Sequence, residues 1–327
     1  MKHRVLSGIR ATGRLHLGNY LGAVKGMLEL QENEAYETFF MVADGHAVTT
    51  PYKVDELRVN RREVIIDYLA AGLDPEQSVL FLQADVNQHM ELAFYFSSVM
   101  SIARMSHLPT FKEKVKQYPE HATMALLNYP ILMSADILVY KADSVPVGID
   151  QEPHLEVARE IARKMNEQYG MDFPEPVRFA TAGEYIPSLK GEGKMSKSVE
   201  GSYINLTDDL ETIQKKLAGV PTDAGKGSEI PEEGGVSVLF KLVKLFQGLE
   251  LEKEYKLAYL REGLRYKDLK VSLADAIFAE LEPIQEKRKA LEADSDFVDE
   301  VIAVGADKAT AVAKATMIEV REKMGLN

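Results

Sequence analysis

The sequence predicts an α/β fold: a parallel-sheet domain with a helical insertion, followed by an all-helical C-terminal domain. Three observations carry it. Short apolar runs alternate with amphipathic helical stretches near the N-terminus, glycine-bearing loops follow the apolar runs, and the pattern beyond Asn205 is helical throughout. "RVLSG" at 4–8 reads as a buried strand, and the next helix carries Tyr20, Leu21, Val24, Leu28 and Gln31 at spacings of three and four. "TFFMVAD" at 38–44 is a second strand and 54–71 an amphipathic helix with Leu57, Ile65 and Leu69. "SVLFLQAD" at 78–85 is a third strand. Such alternation gives parallel strands joined by right-handed crossovers, with ligands beyond the carboxyl ends of the strands. Residues 8–16, 44–49 and 83–88 occupy those positions.

The region 91–178 turns mainly helical and reads as an insertion, including the apolar "PILMSADILVY" with its single aspartate. "AGEYIPSLKGEGKMSKS" at 182–198 reads as a mobile, glycine- and lysine-rich loop. The boundary falls near Asn205, dividing a 1–204 domain from a helical 205–327 domain. In the latter, glycine and proline at 219–237 interrupt regular structure, and the last helix starts near Asp307 and stops at Gly325.

Composition limits the chemistry. The chain has 327 residues, with 39 basic against 51 acidic side chains and a net charge of −12. A nucleic-acid partner must therefore be met by a local basic patch. Absence of cysteine excludes disulfides, thiolate zinc sites, iron-sulfur clusters and thiol nucleophiles. With no leader-like segment and no apolar run of membrane-spanning length, the cytoplasm is the expected location and no membrane partner is expected.

Two short motifs point to phosphate. "HLGN" at 16–19 opens the first helix, whose unpaired N–H groups and positive dipole end favour an anion, with Gly18 allowing close approach. A helix cap with a packing glycine explains the same tetrapeptide. "GKMSKS" at 193–198 places two lysines on a loop, able to meet charge that grows on a departing polyphosphate. A solvated basic loop is its plain alternative.

Together, "HLGN" and "KMSKS" resemble the signature pair of the class I aminoacyl-tRNA synthetases, in the variant of the tryptophanyl branch. "SGIRATGRLHLGNYLGA", "NYPILMSADILVY" and "VPVGIDQEPHLEVARE" are similar to that same branch. The resemblance implies a Rossmann catalytic domain, a helical anticodon-binding domain and a homodimer. Its ligands would be tryptophan, ATP with Mg²⁺ and the tRNA for tryptophan, and no zinc or iron-sulfur centre is expected. It implies that Arg10, Ala11, Thr12, His16, Gly18 and Asn19 surround ATP, that Gly148, Ile149, Asp150 and Ile186 border the adenosine, and that Lys194, Met195, Ser196, Lys197 and Ser198 reach the phosphates. Lys194, Lys197, His16 and Lys114 would act in catalysis, Lys112 and Lys116 leaving the last register open. Arg10, Ala11 and His16 stand where many members carry glutamine, proline and threonine, so the exact ATP contacts stay open.

For the amino acid, the resemblance assigns Asp136 to the indole N–H, with Tyr129, Met133, Val145, Val147 and Gly8 as walls and Gln151 and His46 as polar contacts. A helix-to-helix hydrogen bond would equally explain a buried aspartate, and Asp150 is also a common turn residue. Arg261 and Arg265, read as one helical turn apart, are candidate tRNA contacts alongside Lys267, Lys270 and the 287–289 cluster, or else a solvated face. The rival readings are a tyrosine enzyme of the same fold, which usually places a tyrosine after the first strand where this chain has "LSGIRATG", a nucleotidyltransferase of the same superfamily, which would carry a serine-threonine signature in place of "KMSKS", and a non-catalytic relative binding RNA or a partner protein.

Overall fold

The computed structural model describes residues 2–179, 186–197 and 199–327. Five parallel strands, β1 (His3–Arg10), β2 (Tyr36–Ala43), β3 (Val79–Leu82), β4 (Ser144–Pro146) and β5 (Val177–Phe179), form one sheet in the order β3-β2-β1-β4-β5. β1 and β2 pair along their whole length, from His3 opposite Tyr36 to Arg10 opposite Ala43. Leu6, Phe39, Phe40 and Phe81 are buried because helices cover both faces of a parallel sheet. The strand order reverses at β1, and a crevice opens at such a switch point beyond the carboxyl ends.

The chain divides into two compact units: described residues within 1–14, 23–184 and 291–327 form one, those within 15–22 and 185–290 the other. This division differs from a single cut near Asn205. The Ser295–Met324 helix lies against β3, so closely that a Cβ at Gly305 would stand 1.7 Å from the carbonyl oxygen of Leu80. Arg62 donates to Ser295 O at 2.9 Å and Arg321 donates to Glu91 at 2.6 and 2.8 Å, fixing the same helix to the sheet unit. Asp294 caps it through Phe297 N, so the helix begins twelve residues before Asp307. The stretch expected as a helical insertion also supplies β4 and β5, whose three residues each carry too little alternation to register as strands. The Gly234–Gln247 helix likewise begins inside the segment expected to be irregular.

The second unit is helical. Leu210–Ala218, Gly234–Gln247, Leu249–Arg261 and most of Tyr266–Ala293 build it. Gln285 donates to the carbonyls of Leu206 and Asp208 at 2.8 and 2.9 Å, and Tyr259 meets Phe240 edge-on at 6.1 Å. Arg261 ends its helix and Gly263, at φ +101°, turns the chain, so Arg261 and Arg265 do not share a helical turn. Lys270 donates to the carbonyls of Ala218 and Val220. No helix among the described residues is long and apolar enough to cross a membrane.

Candidate active site

A cavity of about 450 Å³ opens in the first unit beyond the carboxyl ends of β1, β2 and β4. Gly8 and Arg10 come from β1, Met41 and Ala43 from β2, and Val145 and Val147 from β4 and the loop after it. Tyr129, Met133 and Asp136 line it from one face of the Met124–Leu138 helix, where spacings of three and four place them together. His46 and Gln151 complete the set expected around the amino acid, all of which line this cavity, and Asp150, expected near the adenosine, lines it too. Gly8 must be small, because a Cβ would stand 2.7 Å from Met41 Cγ and 2.9 Å from its carbonyl oxygen. Of the three lysines on the Pro109–Gln117 helix, Lys114 is among the residues lining the cavity and Lys112 and Lys116 are not. Ala11, Thr12, Gly148 and Ile149 belong to the same unit without lining the cavity, and Ile149 is exposed.

Asp136 is fully buried and hydrogen-bonded on both oxygens. Oδ1 accepts from Gln83 Nε2 at 2.7 Å and pairs with His89 Nδ1 at 2.6 Å, while Oδ2 pairs with His46 Nε2 at 2.8 Å. Burial opposes its ionisation, but the charge of His46 and the hydrogen bonds of His46 and His89 outweigh it and bring the carboxyl down to about 2. The helix-to-helix hydrogen bond and the cavity lining therefore fall on one residue: the side chain is fully buried with both oxygens hydrogen-bonded, and Asp136 is among the residues lining the cavity.

Sequence reasoning missed the polar lining supplied by Thr49, Thr50, Thr110, Glu113 and His154. His154 Nε2 meets the hydroxyls of Thr110 and Tyr129, both at 2.8 Å, and Nδ1 meets Gln151 Oε1 at 2.9 Å. Gln151 in turn donates to Asp150 Oδ2 at 2.6 Å. Arg10 donates to His46 O at 3.0 Å and Thr50 Oγ1 at 3.1 Å, yet its Nε is buried with no partner. A buried guanidinium donor left open beside a cavity is suited to an anionic group of a ligand.

The two phosphate motifs lie in the second unit. His16 caps the helix start: its Nδ1 accepts from Asn19 N at 3.3 Å, and its own N donates to Asn19 Oδ1 at 3.2 Å. With Nδ1 accepting, the neutral ring carries its proton on Nε2, which remains a donor. A Cβ on Gly18 would stand 2.9 Å from His16 Cε1 and 3.2 Å from Met195 Cβ, so the glycine lets the two motifs touch. Leu17 N donates to Ile204 O and Leu206 N to Leu15 O, pairing "HLGN" with the segment that follows "KMSKS". Met195 is buried and donates to Ile186 O at 2.9 Å, while Lys194 is exposed and Ser196 and Lys197 are half-buried. Ala182 and Ser198 lie outside the described residues.

His16 and His154 are both pushed down to about 4, chiefly by burial; Lys197 and Lys194 add to the shift at His16, and Asp150 opposes it at His154. In the unfolded chain both take up a proton near 6.5. Between about 6.5 and 4 the unfolded state thus binds more protons, so stability is full above that window and falls as pH drops through it. Thermal unfolding across this range should show the midpoint declining, with a shallower decline in His154→Gln. An equal slope in that variant shows that His154 contributes no linkage.

The sequence and the fold agree with known proteins over nearly the whole chain. The profile of tRNA synthetases class I (W and Y) matches residues 1–282. A tryptophan--tRNA ligase of Porphyromonas gingivalis is 41% identical over 328 residues, covering 98% of either chain. The crystal structure of tryptophanyl-tRNA synthetase from Campylobacter jejuni complexed with ADP and tryptophan superposes with a TM-score of 0.84 at 33% identity, covering 99% of this chain and 100% of that one. That of the Mycoplasma pneumoniae enzyme gives 0.86 at 30% identity, covering 100% and 99%. With the profile spanning most of the sequence and the relatives spanning nearly all of it, the chain belongs to the class I tRNA synthetases of the tryptophan and tyrosine group.

Proposed function

We propose that this protein activates L-tryptophan with ATP and transfers it to the 3′ end of the tRNA for tryptophan. The observation that carries the choice of amino acid is the buried, ionised Asp136 among the residues lining a cavity that has Met133, Val145 and Val147 in its wall. Such a group accepts one N–H, and the surrounding apolar surface suits an indole. Arg10 Nε, Gln151 and Lys114 offer polar contacts for the amino acid's carboxylate and for phosphate. The tryptophan carboxylate attacks the α-phosphate of ATP and pyrophosphate departs; a ribose hydroxyl of the tRNA then attacks the carbonyl of the mixed anhydride, and AMP departs as the acyl–phosphate bond breaks. Neither step requires a protein nucleophile, so orientation and charge stabilisation supply the rate.

In this reading the ATP contacts are Arg10, Ala11, Thr12, His16, Gly18, Asn19, Gly148, Ile149, Asp150, Ile186, Lys194, Met195, Ser196 and Lys197. Ser198 is assigned with them on the motif alone. Mg²⁺ arrives with the ATP phosphates, which hold it as hard oxygen ligands. Arg261 and Arg265, on either side of the turn at Gly263, contact tRNA phosphates, and the helical 205–327 region serves anticodon binding. A homodimer in the cytoplasm completes the proposal. Exposed Val48, Met90 and Phe94 border a second, apolar cavity of about 280 Å³ and suit a second copy of the chain.

Tryptophan-dependent exchange of pyrophosphate into ATP tests the reading, with each of the amino acids in turn. Exchange driven by tryptophan is expected. Exchange driven by tyrosine instead overturns the substrate, and no exchange with any amino acid favours the non-catalytic relative.

A further inference from the structure

We propose that Gln83 and His89 are positioning residues that fix Asp136 as an acceptor only, and that this shell selects a ligand carrying an N–H. The inference rests on the reading of the cavity as a tryptophan site and extends it to residues that line no part of that cavity. Neither Gln83 nor His89 reaches the cavity, and both are fully buried behind Asp136.

Each is itself held from behind. Gln83 Oε1 accepts the backbone N–H of His46 at 3.2 Å, so its amide nitrogen must face Asp136 Oδ1, since the flipped amide would set N–H against N–H. His89 places Nδ1 on Asp136 and Nε2 on the Tyr140 hydroxyl at 2.7 Å. One arrangement of the neutral ring satisfies both ends: Nδ1–H donates to Asp136, and Nε2 accepts from the Tyr140 O–H. Tyr140 is locked by stacking on Phe39 at 4.7 Å and an edge contact with Phe81 at 5.6 Å. The protons of this shell therefore all point at the carboxylate. A carboxylate has about four acceptor positions, and Gln83, His89 and His46 occupy three. What remains for the cavity is a single acceptor with no proton to give.

A ligand lacking an N–H leaves that acceptor unpaired, and a site built this way rejects it. A carboxylate short of one donor is looser and easier to protonate. It then tolerates the isostere, so loss of His89 should relax the selection as well as slow the reaction.

The test compares kcat/KM in pyrophosphate exchange for tryptophan and for β-(benzothien-3-yl)alanine, in which sulfur replaces the N–H. The variants are His89→Phe, His89→Asn and Tyr140→Phe, with folding checked by thermal unfolding. The preference for tryptophan should fall roughly 10-fold in His89→Phe. His89→Asn, whose amide nitrogen takes the place of Nδ1, should restore most of it. Tyr140→Phe should lower the preference by less and keeps the test open where His89→Phe does not fold. A purely structural role lowers both substrates in the same proportion. An unchanged or increased preference in His89→Phe and Tyr140→Phe, or no recovery in a folded His89→Asn, overturns the inference. Absence of tryptophan-dependent exchange in the parent instead overturns the tryptophan reading, so the two failures are distinguishable.

Discussion

Replacing Lys194 or Lys197 by alanine should slow tryptophan-dependent pyrophosphate exchange by roughly 10²-fold or more and leave tryptophan affinity almost unchanged. The size follows from what the lysines meet. As the bond to the α-phosphate breaks, negative charge grows on the departing pyrophosphate, and a positioned cation stabilises that charge more than it stabilises the ground state. The geometry suits this role. Met195 is buried and anchored on Ile186 O, so the loop has a fixed point between two side chains that carry the charge. Lys197 and Lys194 also lower the pKa of His16, which places all three cationic or donor groups in one electrostatic neighbourhood. The cavity proposed for the amino acid is built by the other unit, so removing a lysine should leave it intact. Equilibrium tryptophan binding and single-turnover adenylate formation separate the two effects. If tryptophan affinity collapses together with the rate, the loop is structural and the electrostatic role fails.

The division between what the sequence reveals and what only the structure reveals follows the range of the interactions. β1 and β2, eight residues each, carry enough apolar pattern to be read directly, whereas β4 and β5 have three residues each and take their identity from pairing with neighbours. Gly305 looks like an interruption of the last helix, but its missing side chain is what lets that helix reach Leu80 O. Most of the residues expected around the amino acid sit in a few contiguous motif stretches, and all of them line one cavity. His89 and Gln83, 47 and 53 residues from Asp136, were not legible in the sequence, since a lone histidine or glutamine beside apolar neighbours leaves no periodic trace. His154 stood inside a quoted stretch, "VPVGIDQEPHLEVARE", yet its partners Thr110 and Tyr129 come from two other helices.

Asp136→Ala should weaken tryptophan binding by about 1.5 to 3 kcal/mol, roughly 10-fold to 150-fold, because a hydrogen bond to a charged acceptor is lost and the ligand N–H stays unpaired. ATP affinity should change little, since neither Asp136 nor the three side chains hydrogen-bonded to it, Gln83, His89 and His46, is among the residues assigned to ATP. The chain contains no tryptophan, so fluorescence excited at the red edge of indole absorption reports the ligand alone and gives the affinity by titration. The alanine variant also strips the acceptor from Gln83, His89 and His46 together. Each buried donor left without a partner costs about 1–3 kcal/mol, so a drop in the unfolding midpoint accompanies the loss of affinity. Asp136→Asn separates these effects. It keeps the shape and one carbonyl oxygen, but three donors converge on the side chain, and whichever way the amide sits, at least one acceptor position becomes an N–H. Tryptophan binding should therefore weaken in the asparagine variant as well, with a smaller loss of stability. Should either variant remain folded and bind tryptophan as tightly as the parent, Asp136 is a core residue satisfied by its histidines, and the assignment of the indole contact is wrong.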